Sequence, residues 1–507
     1  MTTSEIGILI SIIVYMVAII GIGVYYSKVN NSTEDFYLGG RKLGPFVTAM
    51  SAEASDMSSW LLMGLPGVAY LTGVCNAFWT AVGLGIGTYV NWLIVAKRLR
   101  KYSVICGDAI TVPDFFANRY RDKKVLKCVS ALMIIIFFVP YTASGFAACG
   151  KLFHSLFGVD YMAAMVISAI VIVAYTTLGG FWAASTSDFI QSIVMSVALI
   201  IVIVYGVYSV GGIDVVASNV KDLPGYINLN ATFDATTNSS SPYGIITIFS
   251  TLAWGLGYFG MPHILLRFMA IEDKNKIKLS RRIASVWVVI AMAVAIFIGV
   301  IGHTMSQVGV IDNLKDSETI IVQIANVLSS HGILFAIIAG VILAGILAST
   351  MSTSDSQLLA ASSSVTENLM DGVLGIKLSE KAKVIVARCT VIGIAIVAIF
   401  LASNPDSSVF QIVSFAWAGF GSTFGPVMLF ALFWKRSNKY GAISGMVAGG
   451  AMVFIWKFVV RPLGGAWDIY ELLPAFIVAC VFIIVISLLT KAPEQEIIDE
   501  FDSVKNA

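Results

Sequence analysis

Glu53 and Asp56 stand three residues apart inside an apolar stretch, in the run Glu53-Ala54-Ser55-Asp56-Met57-Ser58-Ser59-Trp60. The basic pair Arg41-Lys42 lies about ten residues before it. At roughly 1.5 Å of rise per residue, Asp56 falls near the middle of a hydrocarbon layer about 30 Å thick. A carboxylate at that depth must face protein, water or a cation, which makes it a functional-site residue by default. Glycine and proline close behind, in Gly64-Leu65-Pro66-Gly67, predict a helix that does not run smoothly through.

A second polar region is Ser349-Thr350-Met351-Ser352-Thr353-Ser354-Asp355-Ser356-Gln357. On a helix, Ser349, Ser352, Thr353 and Ser356 share one face. Such hydroxyls have a purely structural use, allowing close helix packing and bonding to the i−4 carbonyl. Beside the carbonyls of an unwound turn they also supply the roughly five or six uncharged oxygens that a sodium ion takes. A third region, Trp254-Gly255-Leu256-Gly257-Tyr258-Phe259-Gly260-Met261-Pro262-His263, has the glycines and proline that interrupt a membrane helix. Interruptions at depth are tolerated only where they are buried or line a cavity. Trp60, Tyr141, Trp254 and Tyr258 can together wall a small solute, although each alone reads as a core or interfacial aromatic. Asp188, after Ser185-Thr186-Ser187, reads either as a helix N-cap or as part of an ion exit path. Glu53 and Asp355 are further acids in apolar surroundings. His263 and His303 have no partner at metal spacing and read as structural.

These residues need a membrane scaffold. At 58% apolar and 12% charged residues, with a mean hydropathy of +0.87, the chain is excluded from the ordinary soluble domains. It reads as an all-α polytopic membrane protein. Apolar windows mark thirteen spans, at roughly 6–26, 45–70, 76–96, 128–152, 161–178, 187–209, 243–268, 283–303, 333–365, 386–402, 410–434, 441–460 and 471–490. The first has no basic residue before it and no small-residue cleavage site after it, so it reads as a retained span rather than a signal peptide. Of 32 basic residues, only Lys151, Lys221, Lys315, Lys457 and Arg461 fall in one alternate set of connections. The positive-inside rule then puts the N-terminus outside and the C-terminus in the cytoplasm. The spans at 45–70 and 243–268 are candidate broken helices, the first and sixth counted from the former. Paired interruptions in two halves point to a transporter binding site.

The long connections at 210–242 and 304–332 read as outer loops, the first solvated and without helical period. The tail 491–507 reads as a solvated cytoplasmic helix or frayed end. Six scattered cysteines without a CxxC make disulfides and metal sites improbable in this chain. A net charge of +2 without basic clusters among aromatics argues against nucleic acid as a partner. No nucleotide-binding loop or catalytic motif is present, so the chain reads as no enzyme and as driven by an ion gradient, if driven at all.

Ala52 to Gly67, Leu38-Gly39-Gly40-Arg41, Gly44-Pro45-Phe46, Leu178-Gly179-Gly180-Phe181, Trp254 to His263, Ile346 to Leu359 and Trp417-Ala418-Gly419-Phe420-Gly421 resemble the sodium/solute symporter family. The similarity runs from about residue 10 to 492. It implies a LeuT-like fold of two inverted five-helix repeats with broken first and sixth core helices. A leading helix and loop (6–42) would precede the first repeat (43–209). The second repeat (243–434) and two trailing helices (441–490) would complete a single transporter domain. The resemblance further implies sodium-driven import of a small solute, L-proline, by alternating access across a bacterial inner membrane. Another amino acid, a carboxylate or a sugar is the alternative within the family, and a transporter-fold sensor the alternative outside it. No obligate protein partner is implied beyond the bilayer itself. Carried over, Ala54, Met57, Ser349, Ser352 and Thr353 would bind sodium. Asp56, Asp188 and Arg41 would organise the ion site or its pathway, and Ser58, Trp60, Tyr141, Trp254, Tyr258 and Pro262 would line the solute pocket. The chain departs from the pattern in carrying Glu53 and Ser59 where glycine is expected, Met261 where glutamine is familiar, and Pro140 before Tyr141. Ser349 replaces an alanine, a change to which a carbonyl ligand is indifferent.

Overall fold

A computed structural model describes residues 2–28 and 33–506; residues 29–32 of the leading loop and the two terminal residues lie outside the described residues. The described chain is mostly helical, and ten of its helices are long and apolar enough to cross a membrane. An eleventh, bent pair joins Ile245–Gly260 to Pro262–Ala270 at 47°. Two shorter apolar helices, Trp60–Thr72 and Tyr161–Ala174, add to these. The helices carry apolar side chains on their outer faces as well as inside, as expected where the solvent is lipid.

Helical geometry gives way at two places close to the glycines and prolines of the sequence. The helix Pro45–Asp56 ends where Met57 takes φ −77°, ψ 67°. The chain resumes with a wide π turn over Trp60–Gly64 and an α-helix over Leu65–Thr72, with Pro66 in its first turn, where a missing N–H does no harm. In the other half, the α-helix Ile245–Leu252 tightens to a 3-10 helix over Ala253–Gly260. Met261 then adopts φ −78°, ψ 107°, the extended conformation that Pro262 imposes on its predecessor. Glycine here also permits contact: a Cβ on Gly257 would strike the Trp417 indole, and one on Gly255 the Gly83 carbonyl.

Between these two stretches runs Ile333–Ser363, a helix whose whole second half is buried. It packs against Tyr161–Ser209, Thr3–Ser27, Val125–Phe157 and Pro45–Asp56. Its second half, rich in small and hydroxyl residues, is enclosed by these helices, while Ile333, Leu334 and Phe335 at its start are exposed. Tyr161–Ser209 bends at Gly180 (φ 61°, ψ −162°), so the stretch predicted to begin at 187 is already helical from 179.

Two expectations need correction. Residues 210–242 are not a plain solvated loop: Ile213–Lys221 is a helix that buries Val216 and Val220, and Ala231–Asp234 pairs with Ser239–Pro242 in an antiparallel hairpin. The helix is too short for its apolar spacing to stand out, and the loop is held by Tyr226, whose buried hydroxyl donates to the Ala69 carbonyl at 2.8 Å. The tail is not solvated on all sides either. Its helix Gln495–Asn506 buries Ile497, Phe501 and Val504, with the Phe501 ring beneath the Arg98 and Arg119 guanidiniums. Apolar residues at i, i+4 and i+7 among charged neighbours form a stripe that a second element covers.

Candidate functional site

The hydroxyl face of Ile333–Ser363 meets the end of Pro45–Asp56. Ser352 Oγ donates to the Ala54 carbonyl at 2.7 Å and lies 3.2 Å from the Ser349 carbonyl. Thr353 Oγ1 also lies 3.2 Å from the Ser349 carbonyl. All four residues are buried. Four of the five residues expected at a cation site are therefore in one hydrogen-bonded group. The fifth, Met57, is buried at the helix end, where ψ 67° turns its carbonyl out of the helical direction. A set of carbonyls and hydroxyls without a carboxylate among them suits a hard monovalent cation, which takes oxygen ligands from backbone and hydroxyl groups.

Asp56 is the centre of a second group. Tyr258 Oη donates to its carboxylate (Oδ2) at 2.5 Å, and Trp60 Nε1 donates to its carbonyl at 3.1 Å. The Tyr141 hydroxyl faces that same carbonyl at 3.4 Å and also the Ser58 hydroxyl. The Trp60 and Trp254 rings lie 6.3 Å apart. Ser58, Trp60, Tyr141 and Tyr258 thus meet at one unwound turn through their polar atoms, and Trp254 joins them through its ring. Pro262 is not joined to them by a hydrogen bond; it opens the helix Pro262–Ala270 beyond the break. Trp417 belongs with this group although it was not counted as a pocket residue. Its Nε1 donates to the Trp254 carbonyl at 2.8 Å and its ring stands edge-on to Tyr258 at 5.2 Å.

On one side of this turn a cavity of about 850 Å³ reaches Gly64 and Phe410, with Lys151, Glu318, Lys457 and Arg461 on its walls. Phe410 in turn contacts the Trp254 ring at 5.4 Å. On the other side a cavity of only about 10 Å³ remains between Tyr37, Thr111, Phe181, Arg267 and Ser356. The chain therefore leaves room beside Phe410 and packs closely around Arg267.

The closure is ionic. Asp188 accepts from Ser51 Oγ at 2.6 Å and pairs with Arg267 Nη2 at 3.1 Å. Arg267 also donates to Ser51 Oγ at 3.0 Å, to Ser356 Oγ at 2.6 Å and to the His263 carbonyl at 2.9 Å. The knot ties together helices from both halves of the chain in a fully buried place. Asp188 is not a helix cap, the simpler of its two readings, because it sits inside a continuous helical stretch. Arg41 is elsewhere: it pairs with Asp108 at 2.9 Å and donates to the Met269 and Ala109 carbonyls at 2.8 and 2.7 Å. Leu43 adds backbone bonds to Ala270 and Glu272. Arg41 and Asp188 thus both hold the Pro262–Ala270 helix, at different points. Of the other candidates, Asp355 accepts from Ser356 Oγ at 3.2 Å, next to the same knot. His263 lies against the Phe138 ring, and His303 packs among Tyr70, Tyr226 and Phe233.

Arg267 is the main residue that sequence reasoning missed. The signal was present: a single arginine inside an apolar window, which demands a buried partner.

Comparison with known proteins is consistent throughout. The model of the sodium:solute symporter family matches residues 36–449. The sodium/proline symporter of Haemophilus influenzae is 43% identical over 503 residues, covering 98% of each chain. The osmoregulated proline transporter OpuE of Bacillus subtilis is 42% identical over 493 residues, covering 97% of this chain and 96% of its own. A sodium/proline symporter of Staphylococcus aureus is 40% identical, covering 98% of this chain and 95% of its own. Among solved structures, the substrate-bound outward-open state of a Na+-coupled sialic acid symporter has the same fold. It matches with a TM-score of 0.78 at 16% identity, over 96% of this chain and 99% of that one. A closed transporter of the nucleobase-cation-symport-1 family matches with a TM-score of 0.54 at 13% identity, over 94% and 99%. With its buried oxygen cluster beside an unwound turn, and a family match over most of its length, this multi-pass membrane protein belongs to the sodium:solute symporter family.

Proposed function

We propose that the chain imports L-proline together with sodium by alternating access. The observation that carries this reading is the adjacency of two groups on one interrupted helix. The Ala54 carbonyl bonds to Ser352, and two residues on Asp56 bonds to Trp60, Tyr141 and Tyr258. Relatives 40–43% identical over nearly the whole chain that are named as proline transporters support the choice of solute.

In this reading thirteen spans form two inverted five-helix repeats with a leading and two trailing helices. The basic end faces the cytoplasm, so the N-terminus is outside and the 850 Å³ cavity is the outer vestibule. Sodium takes the carbonyls of Ala54, Met57 and Ser349 and the hydroxyls of Ser352 and Thr353. The two hydroxyls, which now donate to carbonyls, turn their lone pairs to the ion. Fixing the Met57–Ser58 turn presents backbone groups to the carboxylate and amine of proline, while Trp60, Tyr141, Trp254 and Tyr258 surround its ring. Pro262 shapes the far wall, and Asp56 holds the turn through Tyr258. The two ligands raise each other's affinity by the same factor, because coupling free energy is reciprocal. Phe410 already covers Trp254 on the vestibule side, and opening inward requires the Arg267–Asp188 knot and the Arg41 contacts to part. Inner release follows from low cytoplasmic sodium.

Competition of labelled proline uptake by a panel of amino acids, carboxylates and sugars tests the solute. Unlabelled L-proline is expected to compete at least tenfold better than any non-proline member. A better competitor of another class would overturn the assignment to proline.

A further inference from the structure

Two arginines are fully buried among the described residues. Arg267 has Asp188 as its partner, and Arg119 has no acid bonded to it. Arg119 closes the helix Val112–Arg119 and is 1% exposed. Its Nε donates to the Ala431 carbonyl at 3.0 Å, while Nη1 and Nη2 have no hydrogen-bond partner. The ring centroids of Tyr120, Phe501 and Tyr102 lie 5.0, 5.3 and 5.7 Å from its guanidinium carbon. Rings satisfy the face of a guanidinium, whereas its edge carries N–H groups that need acceptors. Arginine does not lose its proton in a protein, so it cannot relieve its burial by becoming neutral. Glu500 of the tail pairs instead with Arg121, at 2.6 Å.

Arg119 lies in the wall of a cavity of about 230 Å³. That is room for a polyatomic ligand, since one water needs only about 10–15 Å³. The other charged residues on the wall are Arg121, Lys439 and Lys491, against the single acid Glu494. Asn438 turns a helix start to the same space. It caps the 17-residue helix Lys439–Ile455, accepting from the Gly441 N–H at 2.9 Å, and the first two residues of that helix also line the cavity. The free amides of a first helical turn and the positive end of the helix dipole attract anions. Ile497, buried in the tail helix Gln495–Asn506, lines the tail side. A water would accept from the Arg119 edge but leave the charge of the wall uncompensated.

We propose that this cavity is a site for a phosphate-bearing anion, held by Arg119, Lys439, Lys491 and the start of Lys439–Ile455. Arginine suits phosphate because its forked N–H groups match two oxygens at once, and lysine adds charge without a fixed direction. The bound anion ties the end of Val112–Arg119 to Lys439–Ile455 and to the tail. A basic pocket between helices at the cytoplasmic surface is a place where anionic lipid headgroups bind, and Tyr440, exposed beside the cavity, has the amphipathic ring of a membrane interface. A free phosphate ion presents the same chemistry. The site is separate from the Asp56 turn and does not depend on which solute is carried.

Thermal unfolding of the purified full chain in a neutral detergent tests this. Potassium phosphate and short-chain phosphatidylglycerol are titrated in turn, against potassium chloride of equal ionic strength and short-chain phosphatidylcholine. A ligand that binds only the folded state raises the melting midpoint. The wild type is expected to melt higher with at least one of the two anions than with its control. The pair Lys439→Gln with Lys491→Gln is expected to raise the half-saturating concentration about tenfold, and Arg119→Gln to abolish the rise. A rise with phosphatidylglycerol alone assigns the site to a lipid headgroup; a rise with phosphate as well assigns it to the phosphate group itself. No rise beyond the controls would overturn the proposal. So would a lysine pair with wild-type half-saturation, which decides the matter if Arg119→Gln does not fold.

Discussion

Ser352→Ala is expected to raise the sodium concentration for half-maximal uptake by about 10- to 100-fold, with a much smaller change in solute affinity at saturating sodium. The reason lies in the geometry. Ser352 is the one side chain that bridges the two helices at the oxygen cluster, 2.7 Å from the Ala54 carbonyl and 3.2 Å from that of Ser349. In the proposed site, removing it deletes one oxygen from the cation, and it leaves the Ala54 carbonyl without its donor. A bond to a charged partner contributes about 1.5–3 kcal/mol, and each 1.4 kcal/mol or so is tenfold in affinity. Nothing in the Trp60–Tyr258 group touches Ser352, so the solute pocket should keep its shape. Initial uptake rates over a sodium titration measure this directly. A shift of less than about twofold would place the ion elsewhere.

Arg267→Ala is expected to have a large structural effect. It leaves Asp188 buried with Ser51 as its one remaining donor and Ser356 without its strongest contact. Breaking a buried pair from one side costs about 3–5 kcal/mol, because a charge stays desolvated without compensation. The protein should lose thermal stability in detergent and most of its transport. Removing both charges, in Arg267→Gln with Asp188→Asn, should recover more than half of the lost stability, since no bare charge then remains. A melting midpoint unmoved by Arg267→Ala would show that the knot is not closed in the protein's resting form.

How much of this could be read from the chain depends on the scale of the signal. The hydroxyl face at Ser349–Ser356 is local: four small residues at helical spacing announce their common side without any neighbour. Asp56 is equally legible, because a carboxylate amid so many apolar residues has few excuses. The partners that complete each group come from distant segments and carry no such mark. Thr88 and Trp92, which hold Glu53, lie in a span that looks like any other apolar helix. Arg267 lies inside the apolar window 243–268, and nothing in that window tells which distant acid it meets. Trp417 was visible in a glycine-rich motif, yet its role depends on Gly257 leaving room for the indole, a fact of packing between halves. The surface elements were misread for a related reason. The helix Ile213–Lys221 and the tail helix show their apolar stripes over two or three turns, and only the covering element makes such short stripes meaningful.

The central claim is that an inward sodium gradient drives accumulation of proline through the Asp56 turn. Its most direct test is uptake of labelled L-proline into proteoliposomes holding the purified protein, with sodium, potassium or proton gradients imposed one at a time. Accumulation above equilibrium under the sodium gradient, and not under the others, is the predicted result. Accumulation that is indifferent to sodium, or that a proton gradient drives in sodium-free medium, would contradict it.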